Sequence, residues 1–200
     1  SSAASDVYKR QFDAYRGRLF VREEMNGMRI IRTAIYPSKS SNLMVRLASY
    51  MSFVTSSLLL GTWSIGKLDL LMVESPPLFL AMSGIPMAKL TRSRMVLMVS
   101  DIWPDVAVRM GNIIGDTQLR MMEWLEALAY RHSSCVALTN PGAVEQVRSR
   151  FPRVPCGVIS NGVDTKLFRP ELRSEEIRRE FGIQPDEFAV AYCGLHGLSL

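Results

Sequence analysis

LDLLMVESPP at residues 68–77, and then MVLMVSDIWPD at 95–105, are the stretches whose reading decides the fold. Each is a short aliphatic run that stops at a polar turn containing proline. Such runs read as strands, Leu68–Val73 and Met95–Val99, and the residues between them, Leu78–Leu90, read as a helix. The same alternation extends in both directions. Helix Thr117–Arg131 leads to strand Cys135–Leu138, helix Pro141–Arg150 and strand Gly157–Ile159. Upstream, Met28 to Ile35 is a strand candidate, and the polar loop Ser38-Lys39-Ser40-Ser41-Asn42 can cap the helix that follows. Downstream, a short helix Ser174–Phe181, which Gly182 can end, precedes a further strand at Phe188–Tyr192. Apolar strands alternating with helices predict an α/β fold, a Rossmann-like parallel sheet with helices on both faces.

The helix expected from Leu43 to about Trp63 is nearly all apolar, and its length approaches that of a membrane span. Arg46 interrupts it, and Ser49, Ser52, Thr55, Ser56 and Ser57 dilute it. The next strand follows almost at once. These features favour a helix packed on the sheet or lying on a membrane surface.

Composition narrows the class further. Of 200 residues, 48% are hydrophobic and 22% charged, enough for a full core and too apolar for a disordered chain. The net charge of +5, from 24 basic and 19 acidic side chains, favours anionic partners such as nucleotides, anionic lipid or nucleic acid and ranks none of them. As a function, nucleic-acid binding ranks below the other classes, because no basic stripe interleaves with aromatics. Cys135, Cys156 and Cys193 lie in separate apolar runs and read as free thiols of a reducing, cytoplasmic compartment. His132 and His196 are the only histidines, so no Cys/His cluster has metal-ligand spacing and no metal is expected. The start, Ser1 to Gln11, lacks the basic-then-apolar order of a signal peptide and reads as foreign to the folded domain. The expected division is a non-native or truncated segment 1–25, a first domain 26–170, a linker 171–187, and the start of a second domain at 188–200.

In a parallel α/β sheet, ligands bind at the carboxyl ends of the strands. Three loops there carry more chemistry than a connector needs. Glu74-Ser75-Pro76-Pro77 leaves a carboxylate at a strand exit held rigid by two prolines. Asp101-Ile102-Trp103-Pro104-Asp105 places two carboxylates around a Trp; carboxylates can hold hydroxyls and Trp can stack on a sugar ring or close the sheet edge. Asn161-Gly162-Val163-Asp164 follows the last strand of the first domain, and its side chains can also serve the turn itself by bonding local amides. On helix 117–131, Glu123 and Glu126 share a face. Gly194-Leu195-His196-Gly197 follows a strand and could cradle a phosphate with its amides.

Taken with VISNGVDTKLFRP at 158–170, these loops resemble the two-domain GT-B glycosyltransferases of family 4. The closest resemblance is to the subgroup that builds bacterial surface polysaccharides, and it covers nearly all of residues 26–200. It implies a retaining transfer of a sugar from a nucleotide-diphosphate donor, UDP-linked ahead of GDP-linked, with no cofactor. The implied acceptor is a polyprenyl-diphosphate-linked sugar at the cytoplasmic face of the membrane. By the same resemblance Asp101 is the catalytic candidate, standing where many members carry a histidine. Glu74, Ser75, Trp103 and Asp105 fall on the acceptor and sugar side; Asn161, Gly162, Asp164, Gly194, His196 and Gly197 fall on the donor cleft. Glu126 and Arg131 fall where the family packs a helix end. The chain then corresponds to the acceptor-side domain, with most of the donor domain beyond Leu200 and no activity expected of it alone. A sugar-nucleotide epimerase of similar build and a non-catalytic scaffold are the alternatives.

Overall fold

A computed structural model describes residues 15, 17–38, 42–109 and 115–192. The expectations that fall on residues 1–11, on Lys39, Ser40 and Ser41, and on Cys193, Gly194, His196 and Gly197 lie outside those residues. The chain divides into two compact units, Ser1–Ile159 and Ser160–Leu200.

In the first unit, β1 (Phe20–Met25) and β2 (Met28–Thr33) form an antiparallel hairpin, from Phe20 opposite Thr33 to Met25 opposite Met28. Asn26 and Gly27 connect them with φ of 51° and 77°. Two successive left-handed residues are what a two-residue type I′ hairpin needs, and Asn-Gly is the pair that adopts them most readily. β1 therefore lies inside the segment 1–25 that the sequence set apart.

The apolar helix forms as α1 (Leu43–Ser56), passes through a π-helical turn at Ser57–Gly61, and ends as α2 (Thr62–Ile65). Asn42 caps it, its side chain accepting from the Met44 amide at 2.9 Å. The hydroxyls that dilute the apolar run have structural work. Ser52 Oγ accepts from the Tyr36 amide at 2.7 Å, and Ser56 Oγ donates to the Ala34 carbonyl and lies 3.1 Å from the Thr33 hydroxyl. These bonds fasten one flank of the helix to the end of β2. On another flank, Gly61 approaches Met87, and Tyr50 stacks on Phe79 with ring centroids 6.0 Å apart.

Four parallel strands, β3 (Leu70–Ser75), β4 (Arg94–Val99), β5 (Cys135–Leu138) and β6 (Cys156–Val158), pair in the order in which they occur. Helices flank them: α3 (Ala81–Thr91) between β3 and β4, α4 (Asp105–Arg109) and α5 (Asp116–Arg131) between β4 and β5, and α6 (Pro141–Arg150) between β5 and β6. The α/β, Rossmann-like expectation holds. β3 starts two residues later than expected and pairs through Ser75, opposite Val99, so Glu74 and Ser75 belong to the strand itself.

Side chains of Val73, Met95, Leu97, Val99, Val136 and Leu138 join Leu125, Ala129 and Tyr130 of α5 and Val144 and Val147 of α6 in one buried cluster. Register places the strand members on one face of the sheet. On the alternate face of β3, Leu70 and Met72 remain 50% and 53% exposed.

The second unit contains α7 (Glu175–Glu180) with Ser174 as its cap, accepting from the Ile177 amide at 3.2 Å. Gly182, at φ 71°, follows it, as expected of a helix terminator. The strand expected at Phe188–Tyr192 does not form: no strand pairs with it among the described residues, and Phe188 and Val190 are exposed. A lone strand has nowhere to place its amides, so its β propensity is not used.

α3 approaches β3 most closely at Gly84. A Cβ there would sit 2.6 Å from Val73 Cγ2 and 3.4 Å from Met95 Sδ. Gly84→Ala is expected to destabilise the fold by about 1–3 kcal/mol, because a buried valine cannot swing aside. The gain in helix propensity, about 1 kcal/mol, is not enough to offset the clash. Gly61→Ala meets only ordinary contact at 3.6 Å and should be neutral or slightly stabilising. Urea unfolding of the two variants checks both signs; wild-type stability in Gly84→Ala would contradict the close approach.

Candidate functional site

The carboxyl edge of the sheet brings the first two candidate loops together. Ser75, the last residue of β3, is buried, and its carbonyl accepts from the Ser100 amide at 2.9 Å. This bond ties the loop after β4 to the end of β3, so Glu74 and Asp101 share one edge. The Ser75-Pro76, Pro76-Pro77 and Trp103-Pro104 peptides of these loops are cis.

The Asp101 loop has a buried underside. Ile102 and Pro104 are buried, and Trp103 packs partly against the apolar cluster. Anchored this way, the loop presents Asp101 to solvent, and no side chain among the described residues bonds its carboxylate. Glu74 is exposed as well. Two acceptor-only groups on a fixed backbone suit hydroxyl-rich ligands, since each can take charge-assisted bonds without a partner having to be displaced.

Asp105 is differently placed. As the first residue of α4, it accepts from Gln146 Nε2 at 2.6 Å and lies 3.6 Å from the Arg150 guanidinium. Arg150 at the same time forms a two-pronged pair with Glu126, at 2.6 and 3.2 Å. Glu126 is fully buried, and the Tyr130 hydroxyl is a further partner. One guanidinium thus joins α4, α5 and α6. Asp105 sets where the Asp101 loop ends, and in these two loops the carboxylates without a side-chain partner among the described residues are those of Asp101 and Glu74.

At Glu126, burial and pairing pull in opposite directions. Burial raises the carboxyl pKa and outweighs the lowering by Arg150 and Tyr130, leaving it at about 6. Burial also acts against the charge of Arg150, but Glu126 and Asp105 more than reverse this, and its pKa rises. The pair is therefore ionised at neutral pH. Burial likewise raises the Tyr130 phenol, with the Glu126 charge adding to it.

The other candidates stand apart. Glu123, Arg131 and His132 are exposed, so Arg150, and not Arg131, holds Glu126. His132 Nδ1 lies 2.9 Å from the Leu128 carbonyl at the end of α5. Asn161, Gly162 and Asp164 belong to the second unit. There Asp164 Oδ1 accepts from the Lys166 and Leu167 amides at 2.9 and 3.2 Å, so this side chain shapes its own turn. The turn falls at Thr165–Leu167; Gly162 is not left-handed, and Asn161-Gly162 forms no turn. Cys156 Sγ donates to the Val154 carbonyl, and burial pushes its thiol up, away from nucleophilic character.

Sequence reasoning missed Gln146 and Arg150, whose partners lie 41 and 24 residues away and leave no local pattern. It also passed over Thr139 and Asn140, which follow β5 at the same edge; Asn140 caps α6 by accepting from the Ala143 amide at 2.9 Å. No group of three or more His, Cys, Asp or Glu side chains that could hold a metal ion occurs among the described residues. No protein-family model matches the chain, and no curated protein matches it.

Without the Glu126 carboxylate, Arg150 keeps Asp105 and part of its solvent contact while the Tyr130 hydroxyl loses a partner, so Glu126→Ala is expected to cost about 1–3 kcal/mol. Glu126→Gln keeps the volume and should cost less. A carboxyl that titrates at about 6 in the folded chain, against an ordinary 4.5, contributes stability that is fully present below pH 4.5 and lost as pH rises through 6. The wild type should therefore lose about 2 kcal/mol relative to Glu126→Gln between pH 4.5 and 7. Urea titrations across that range read the difference directly, and parallel profiles would contradict it.

Proposed function

We propose that this chain is the acceptor-side part of a retaining, nucleotide-sugar-dependent glycosyltransferase of the GT-B family 4 kind. The observation that carries this reading is the exposed Asp101 carboxylate, held on a loop with a buried underside and tied to the end of β3 beside exposed Glu74. A sugar is dense in hydroxyl donors. Two exposed carboxylates, with no side-chain partner among the described residues, on a sheet edge that also carries the partly exposed Trp103 match that chemistry better than they match an anionic or purely apolar ligand.

Asp101 orients the transferred sugar or the attacking hydroxyl. Glu74 takes hydroxyls on the acceptor side, with Ser75 fixing the strand end and the exposed part of Trp103 forming an apolar wall. Asp105 acts through Arg150 and Gln146 to hold this loop in place. The donor is a nucleotide diphosphate sugar, UDP-linked ahead of GDP-linked. Asn161, Gly162, Asp164, Gly194, His196 and Gly197 are assigned to its cleft. Stabilising the departing diphosphate is the largest electrostatic task of the reaction and falls to the donor side. The acceptor is a polyprenyl-diphosphate-linked sugar, which places the protein in the cytoplasm, peripheral to the inner membrane face.

The test uses the native polypeptide that carries this chain, in its membranes, with a panel of radiolabelled UDP- and GDP-sugars. Label should enter an organic-extractable lipid. Asp101→Ala should reduce that transfer about 10- to 100-fold, the worth of one or two charge-assisted hydrogen bonds. Because Asp101 is exposed, the variant should keep its fold by circular dichroism. Unchanged transfer in Asp101→Ala would contradict the assignment, and nucleotide-sugar interconversion without lipid labelling would favour an epimerase.

A further inference from the structure

We propose that the outer stripe of the helix running from α1 through the π-helical turn into α2 docks on the surface of an anionic lipid bilayer. The stripe is written in the exposure pattern. Met44, Ala48, Thr55, Leu59 and Trp63 are exposed at intervals of four and seven residues, which is one helix face. Met44, Leu59 and Trp63 are 70%, 59% and 89% exposed, whereas Val54 and Gly61, on the inner side, are buried. Beside this stripe runs an open apolar groove of about 630 Å³, with Leu19 and Ala34 on one wall and Ala48, Met51, Thr55 and Leu59 on the other. Water-facing helix stripes normally carry charge; this one carries none.

Charge distinguishes the occupant. From residue 25 to residue 68 the chain has no Asp or Glu, while it has Arg29, Lys39, Arg46 and Lys67, and also Arg32, which is paired with Glu23. Arg46 sits in the first turn of α1, Lys67 just past α2, and the Arg29 guanidinium donates to the Ile65 carbonyl at 2.9 Å. Cations therefore stand at both ends of the helix and leave its middle apolar, the arrangement of a helix lying in the plane of a negatively charged headgroup layer. A second copy of the chain is a poorer occupant, since a two-fold contact would bring the same cations together.

By length and composition alone, Met44–Ile65 could also cross a membrane. The structure favours lying flat. Ser52 and Ser56 are committed to the segment that follows β2, and Tyr50 and Gly61 to Phe79 and Met87. A helix held on two flanks has only the third to offer to lipid. Tyr50 also places the docked helix in contact with the turn directly after Glu74-Ser75-Pro76-Pro77. The acceptor-side loop then sits against the membrane-bound element. That consequence rests on the glycosyltransferase reading; the docking itself does not.

The probes are vesicles of phosphatidylglycerol with phosphatidylcholine, vesicles of phosphatidylcholine alone, and both with brominated acyl chains. With anionic vesicles, Trp fluorescence should shift to the blue and be quenched by bromine, and both effects should be lost in Trp63→Phe. Binding should weaken steeply with added salt. It should fall at least tenfold in Leu59→Glu and in Met44→Glu, two exposed positions where circular dichroism should show an unchanged fold. Three results would overturn the proposal: no partition into anionic vesicles, equal partition into phosphatidylcholine, or lipid-independent self-association that shields Trp63. No sugar enters this experiment, so its failure leaves the transfer reaction standing, and the reverse also holds.

Discussion

One guanidinium constrains the site. Glu126 is removed from water on α5, and a carboxylate in that position needs a cation that is equally fixed. Arg150 supplies it from the last turn of α6, then reaches Asp105 at the start of α4. Where α4 starts determines where the Asp101 loop must end. The other end of that loop is set by the amide of Ser100 on the carbonyl of Ser75. Between these two restraints, with Ile102 and Pro104 buried beneath, the backbone has little freedom and Asp101 is left facing solvent. The geometry of the candidate site is thus a consequence of charge burial elsewhere in the core.

How much of this was legible in the sequence depended on how local each cause is. Strand Cys135–Leu138 and helix Pro141–Arg150 read correctly to the residue, because an aliphatic run and an Asn-Pro helix start are local signals. Asn-Gly occurs twice with opposite outcomes. At 26–27 two pairing strands flank it and it turns; at 161–162 no strand returns among the described residues, and the turn moves to the Asp164 side chain. The dipeptide permits a turn, and the pairing partner decides whether it is used. Phe188–Tyr192 shows the same dependence from the strand side. The Arg150 contacts left no trace in the sequence, since they join residues far apart through helix packing.

The serines of the long apolar helix carry a related lesson. Read along the sequence, Ser52 and Ser56 only lower its hydropathy. In the fold they bond the segment after β2 and so select which face of the helix stays free. What remains exposed is an uncharged stripe between cationic ends, packed through Tyr50 and Phe79 onto the element that leads from Glu74. On the proposed reading, a lipid-docking stripe and a hydroxyl-binding edge in packed contact would suit an acceptor with a hydrophobic tail and a sugar head.

The most direct measurement is an NMR titration of the isotopically labelled chain with a water-soluble, short-chain polyprenyl-diphosphate-linked sugar. The amides of Glu74, Ser75 and Ser100 to Trp103 should shift together and saturate together, with Asp101→Ala weakening the response. Shifts confined to the opposite end of the sheet, around Arg153 to Cys156, or no saturable shifts at all, would contradict the account of this edge as the sugar-binding site.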